Sequence, residues 1–133
     1  MHPETLLRTV ALAQSIGHVL VATADAKGLP HMVPADNMSL IPDDKKVTVE
    51  AWFCPDTLAN LQANRKIALV VWDPRTDKGY QIIGETEAAE DIALLDGYLP
   101  GPKTTPPQGK KRLYILVGKI LAFHHAPHTD QEQ

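Results

Sequence analysis

The apolar residues of this chain recur at two spacings, and the spacing divides it into helices and strands. Between Pro3 and Ile16, Leu6, Leu7, Val10, Ala11 and Gln14 fall on one side at about 3.6-residue spacing, and only Gln14 is polar. That predicts a helix, with Gly17 placed to stop it. HVLVATAD, His18 to Asp25, reads as a buried strand. Ala26-Lys27-Gly28 follows as a turn in which Gly28 can adopt positive φ. HMVPADNMSLI, His31 to Ile41, returns as a strand. Pro34 cannot donate a ladder hydrogen bond, which predicts an edge or a bulge there. Pro42-Asp43-Asp44 turns the chain again.

VTVEAWFCPDTLANLQAN, Val47 to Asn64, changes period in its middle. Val47 and Val49 alternate with Thr48 and Glu50, as in a half-buried strand that Trp52 and Phe53 close with bulk. Pro55 fits the first turn of a helix, where its missing N–H costs nothing. Leu58 and Leu61 share one face of that helix, and Asn64 suits its end. The first N–H groups of such a helix lack partners within it and carry partial positive charge, which suits a phosphate. A plain strand–helix connection without any ligand has the same pattern.

KIALVVWD, Lys66 to Asp73, is almost wholly apolar and predicts a strand buried on both faces. Asp73 to Gly79 is a loop. Tyr80 to Glu90 is the next strand, with Gly84 marking a bulge or a close backbone approach. Asp91 to Tyr98 suits a short helix. Leu99 to Gly109 is proline-rich loop, Arg112 to His124 the last strand, and the polar tail after it loose. Six strands and two or three helices result. Strands outnumber crossover helices, which argues against a doubly wound sheet. Short turns between the first three strands make antiparallel neighbours. The expected fold is a mainly β, six-stranded antiparallel barrel of Greek-key type with helical additions, forming one domain over residues 1–133.

Composition narrows the partners. Hydrophobic residues are 44% and charged residues 22%, an ordinary globular mix, and the formal charge of −3 argues against nucleic acid. Cys54 is the one cysteine, so no internal disulfide framework exists and a reducing, cytoplasmic setting is expected. The N-terminal stretch carries Glu4 and Arg8 and lacks the pattern of a signal peptide. No apolar run approaches the ~20 residues of a membrane span.

Four segments, taken in order, resemble the FMN-binding split barrel, the superfamily of pyridoxamine-phosphate oxidase and small flavin-binding proteins. They are ATADAKGLPHMVPA, VEAWFCPDTLANL, IALVVWD and KGYQIIGETE, between about Gly17 and Thr86. The resemblance implies an FMN site at a homodimer interface. The ring edge would be followed by Val33, Pro34, Ala35, Asp36 and Asn37. Glu50, Ala51, Trp52, Phe53, Asp56, Thr57 and Asn60 would hold its other side and the phosphate. This fits what a flavin needs: flat apolar contact, a few polar partners, and N–H groups for a phosphate. Family members often carry a lysine or arginine just before the phosphate-contacting threonine, where this chain has Asp56. A carboxylate there works against a dianion unless it points away or a cation compensates it; Arg65, Lys66 and the Lys110-Lys111-Arg112 run are the candidates. The vitamin-making oxidase also has an arginine-bearing C-terminal segment for its substrate, unmatched by HHAPHTDQEQ here, so that activity is not carried over.

The remaining signals are weaker. His124, His125 and His128 cluster near Asp130, but adjacent residues on a strand point to opposite faces, and no metal site is expected. Cys54 lies at a helix start, which lowers a thiol pKa, yet no base accompanies it, and burial is the simpler reading. His31 is read as a strand-surface residue. The Lys110-Lys111-Arg112 run suits either a solvated strand start or a phosphate contact. The leading expectation is a dimeric FMN flavoprotein with a redox role and no identifiable catalytic residue. A deazaflavin- or haem-binding barrel and a non-enzymatic sensing domain with a vestigial site stand beside it.

Overall fold

Six strands and two helices form among the described residues, which in this computed structural model are 2–42, 44–52, 55–94, 109–125 and 132–133, with backbone alone at 52, 93, 94 and 109. In chain order they are α1 (Pro3–Ile16), β1 (Val19–Ala24), β2 (Pro30–Ile41), β3 (Lys46–Trp52), α2 (Pro55–Ala63), β4 (Lys66–Asp73), β5 (Lys78–Leu94) and β6 (Gly109–Phe123). The strands close into a barrel in the order β1-β2-β3-β6-β5-β4, and every ladder is antiparallel. Closure pairs every strand on both sides over part of its length. The connection through α2 carries the chain from β3, beside β6, across to β4, beside β1, a Greek-key crossover.

The interior is filled by alternate residues of each strand, among them Val21, Val49, Leu69, Ile82, Ile115 and Ile120, all essentially without solvent contact. The expectation that β4 is buried on both faces is corrected. Ile67, Leu69 and Val71 are buried, whereas Ala68, Val70 and Trp72 are half-buried on the outside, where Trp72 meets Phe123 edge-on at 6.1 Å. An apolar outer face cannot be told from an apolar inner one by composition.

Helix α1 ends where expected, at Gly17 with φ of +95° and its N–H donating to the Ala13 carbonyl at 2.8 Å. Its buried face is corrected, however: Thr5, Leu6, Thr9, Val10 and Ala13 pack inward, while Leu7 is 54% exposed and Ala11 and Gln14 are outside. The Thr9 hydroxyl donates to the Thr5 carbonyl at 2.8 Å, which lets a polar residue enter the core without an unmet hydrogen bond. Gln14 Nε2 donates to the Met38 carbonyl at 3.1 Å and ties the helix to β2.

Pro34 lies in the half of β2 that pairs with β1 alone, the edge its chemistry requires. Gly84 is both features expected of it. The β5–β6 register shifts beside it, and a Cβ there would sit 2.2 Å from the Leu116 carbonyl oxygen. The short helix expected from Asp91 is corrected: residues through Leu94 extend β5, pairing as far as Gly109 of β6, and residues 95–98 lie outside those described. Most of the expected loop, 99–108, also lies outside them. Of the tail expected to be loose, residues 126–131 lie outside those described, while Glu132 bridges Leu121 and the Gln133 N–H donates to the Ile120 carbonyl at 2.9 Å.

Candidate functional site

The register break in β2 falls between Asp36 and Ser39, and Asn37 within it takes φ of +51°. Asparagine enters this left-handed region more readily than most residues with a Cβ. Bulges of this kind re-aim side chains and recur beside active sites. Here the break sets Asp36 opposite Glu50 of β3, and Asn37 Nδ2 donates to Glu50 Oε1 at 3.1 Å.

Glu50 is the centre of a polar chain across four strands. Arg112 of β6 faces it in the ladder and donates from Nε and Nη2 to its Oε2, at 2.9 and 2.8 Å. The third guanidinium nitrogen, Nη1, reaches Glu90 Oε1 of β5 at 3.4 Å, and the Tyr114 hydroxyl donates to Glu90 Oε2 at 3.0 Å. Lys110 Nζ stands 3.9 Å from Glu50 Oε1. The Glu50 side chain is only 13% exposed. Hydrogen bonds from Arg112 and then Asn37 hold its carboxyl below the ordinary carboxylate range, and the same bond raises Arg112 above its ordinary value. Glu50 therefore stays ionised near neutral pH and cannot serve as a general acid there. The array offers fixed donors and acceptors to a polar-edged ligand instead.

Helix α2 begins three residues after Trp52. Pro55 and Asp56 are exposed at its start. Thr57 is fully buried, and Asn60, 9% exposed, donates from Nδ2 to the Thr23 hydroxyl of β1 at 3.1 Å. These two side chains face the barrel and seat the helix on it. The helix rises about 13 Å, so Arg65 and Lys66 lie beyond its far end. Lys110 lies opposite Trp52 in the β3–β6 ladder, three residues before the helix start.

The structure thus brings Asp36, Asn37 and Glu50 together and places the start of α2 at the end of the same strand as Glu50. Val33 packs against the core, Ala35 and Ala51 are buried in it, and Pro34 is exposed. Phe53 and Cys54 lie outside the described residues, as does the Trp52 side chain. Tyr114 and Glu90 are the members that reading the sequence missed, and Arg112, a candidate there for the phosphate, instead pairs with Glu50. The Lys110-Lys111-Arg112 run was the available signal, but a solvated strand start describes it poorly: all three side chains are ion-paired, to Glu50, Asp91 and Glu50 with Glu90. At the other end of the sheet, His124 Nδ1 lies 2.8 Å from the Asp77 carbonyl and the His125 N–H donates to Asp77 Oδ1 at 2.7 Å. Among the described residues no three His, Cys, Asp or Glu side chains gather as metal ligands, and no helix is long and apolar enough to cross a membrane.

Comparison with known proteins gives the same architecture. Residues 8–112 match the sequence family described as Pyridoxamine 5'-phosphate oxidase. HupZ of Group A Streptococcus is similar in structure at 22% identity, with 92% of this chain and 97% of that one covered and a TM-score of 0.63. An FMN-binding protein from Syntrophomonas wolfei is similar at 20% identity, with 90% and 86% covered and a TM-score of 0.62. An F420 reductase is similar at 14% identity, with 83% and 93% covered and a TM-score of 0.58. At such identities the likeness is one of fold. No curated protein matches the chain.

Proposed function

The chain belongs to the pyridoxamine 5'-phosphate oxidase family, and from that premise we propose that it is an FMN-binding flavoprotein with a redox role, working as a homodimer. The observation that carries the reading is the meeting of the β2 bulge, Glu50 and the start of α2 on one side of the barrel. The residues present fit a flavin. Asn37 and Arg112 donate and Glu50 accepts where a pyrimidine edge needs partners, and Pro34, Asp36 and Asn37 are exposed beside them. The phosphate would lie at the exposed first turn of α2, beside Asp56, with Lys110 supplying the cation that Asp56 displaces. In this reading Thr57 and Asn60 act by seating α2 as much as by contact, as their burial favours. Bound FMN would supply hydride or electron transfer. The protein would hold it, with a part-buried Glu50–Arg112 pair fixing the polar edge.

The dimer would use the outer faces of β1 and β2, neighbours in the barrel, where Leu20 and Met32 are 39% and 57% exposed. A second copy would cover them. Equilibrium titration with FMN and riboflavin, followed by quenching of flavin fluorescence, tests the ligand. Saturable FMN binding that weakens in Asn37→Ala and Arg112→Met supports the reading. Binding indifferent to both variants removes this face from it. Light scattering at micromolar concentration tests the assembly, since a mass of one chain contradicts it.

A further inference from the structure

Strand β4 ends its pairing with β5 at Lys66 opposite Glu85, while β5 runs on for nine more residues with only β6 beside it. The β5–β6 register also shifts between Thr86 and Ala88, so Glu87 bulges at this point. Helix α2 covers the opening, and between them lies a cavity of about 370 Å³. Leu58, Leu61, Arg65, Thr86, Ala88 and Lys111 line it, and it shares no residue with the face proposed for the flavin.

Thr86 makes this cavity more than a packing gap. It is 7% exposed, and its hydroxyl is the one buried side-chain oxygen or nitrogen among the described residues that lacks a hydrogen-bond partner. Buried hydroxyls are nearly always satisfied, and an exception calls for a missing partner. The Thr86 N–H donates to the Arg65 carbonyl at 2.8 Å, which fixes Arg65 at the rim. Arg65 forms no ion pair among the described residues. The other charges lining the cavity are already met: Glu87 pairs with Lys46 at 2.7 Å, and Lys111 pairs with Asp91. One positive charge is left over. Leu58 and Leu61 add an apolar wall.

We propose that this cavity under α2 is a second ligand site, for a small organic anion whose acid group meets Arg65, whose oxygen accepts from Thr86 and whose apolar body lies on Leu58 and Leu61. Arginine presents two parallel donors to a carboxylate or phosphate, and the volume suits a ligand at the small end of the usual range.

The full-length protein would be titrated with benzoate, with its neutral isostere benzamide and with inorganic phosphate, following backbone amide shifts by NMR. Benzoate is expected to bind saturably, with shifts at Arg65, Thr86 and Leu61, and benzamide at least tenfold more weakly. Phosphate, lacking the apolar body, is expected to bind more weakly than benzoate; an equal affinity would overturn the role of the leucine wall. Arg65→Gln, at an exposed position, should reduce benzoate binding about tenfold and leave FMN affinity unchanged. Thr86→Val should weaken benzoate several-fold while keeping or raising the melting temperature, because it removes an unpartnered hydroxyl. No saturable benzoate binding, binding unaffected by both variants, or a lowered melting temperature in Thr86→Val would each overturn the proposal. None of these outcomes depends on whether FMN binds.

Discussion

Replacing Glu50 with glutamine isolates the charge at the centre of the four-strand polar chain while keeping its shape. In the native protein Arg112 donates two hydrogen bonds to one Glu50 oxygen and Asn37 donates one to the other. Charge-assisted bonds contribute roughly 1 kcal/mol more each than neutral ones. The Arg112 side chain is 35% exposed, so solvent screens part of that difference. The expected loss for Glu50→Gln at pH 7 is about 1.5 kcal/mol, with the melting temperature lower by about 5 °C for a chain of this length. The pH dependence gives the sharper signature. Glu50 titrates below its ordinary value of 4.5 in the folded protein, so the unfolded chain takes up its proton first as pH falls. The contribution is therefore complete above about pH 4.5 and disappears as pH drops through the lower folded-state value. Once protonated, Glu50 resembles the glutamine that replaces it. Urea unfolding of both proteins from pH 7 down to pH 3 should show curves that differ at neutral pH and converge in acid. A constant difference at every pH, or none at pH 7, would refute the electrostatic account of this pair. In a double-mutant cycle the effects of Glu50→Gln and Arg112→Met should be strongly non-additive.

Other perturbations probe other levels of the structure. Gly84→Ala drives a methyl group to 2.2 Å from the Leu116 carbonyl oxygen, and should destabilise the barrel by about 3 kcal/mol in denaturant unfolding. Asp56→Asn and then Asp56→Lys should tighten FMN binding by about fivefold per step at low salt, an effect that shrinks as salt is added. No gain in either folded variant would mean that the phosphate lies elsewhere. Thr57→Val separates contact from seating: a larger loss for FMN than for riboflavin indicates a phosphate contact, whereas equal losses with a lowered melting temperature indicate that Thr57 positions α2.

Local chemistry was legible in the sequence wherever it acts through near neighbours. Gly17, Pro34, Pro55 and Gly84 each mark the stop, edge, helix start or bulge that their backbone freedom dictates. What the sequence hid depends on long-range register. Glu50 and Arg112 are 62 residues apart, and their union requires β3 to lie beside β6, which neither strand's alternation encodes. The inward face of α1 departs from the apolar pattern because Thr9 satisfies its hydroxyl within the helix, so a polar residue can lie in the core. Residues 91–94 read as helical by composition but take their structure from the β6 ladder. Among the candidate site residues, Asp36, Asn37 and Glu50 lie together across the β2–β3 ladder, while Thr57 and Asn60 turn toward the barrel, an orientation that a helical period alone does not give.

The central claim is that the β2 bulge, Glu50 and the start of α2 together hold FMN. Its most direct test is a fluorescence-quench titration of the purified full-length protein with FMN, repeated on Asn37→Ala. The account predicts saturable quenching at one flavin per chain, a yellow complex, and a several-fold weaker affinity in the variant. A folded protein that leaves FMN fluorescence unchanged throughout the titration would contradict it.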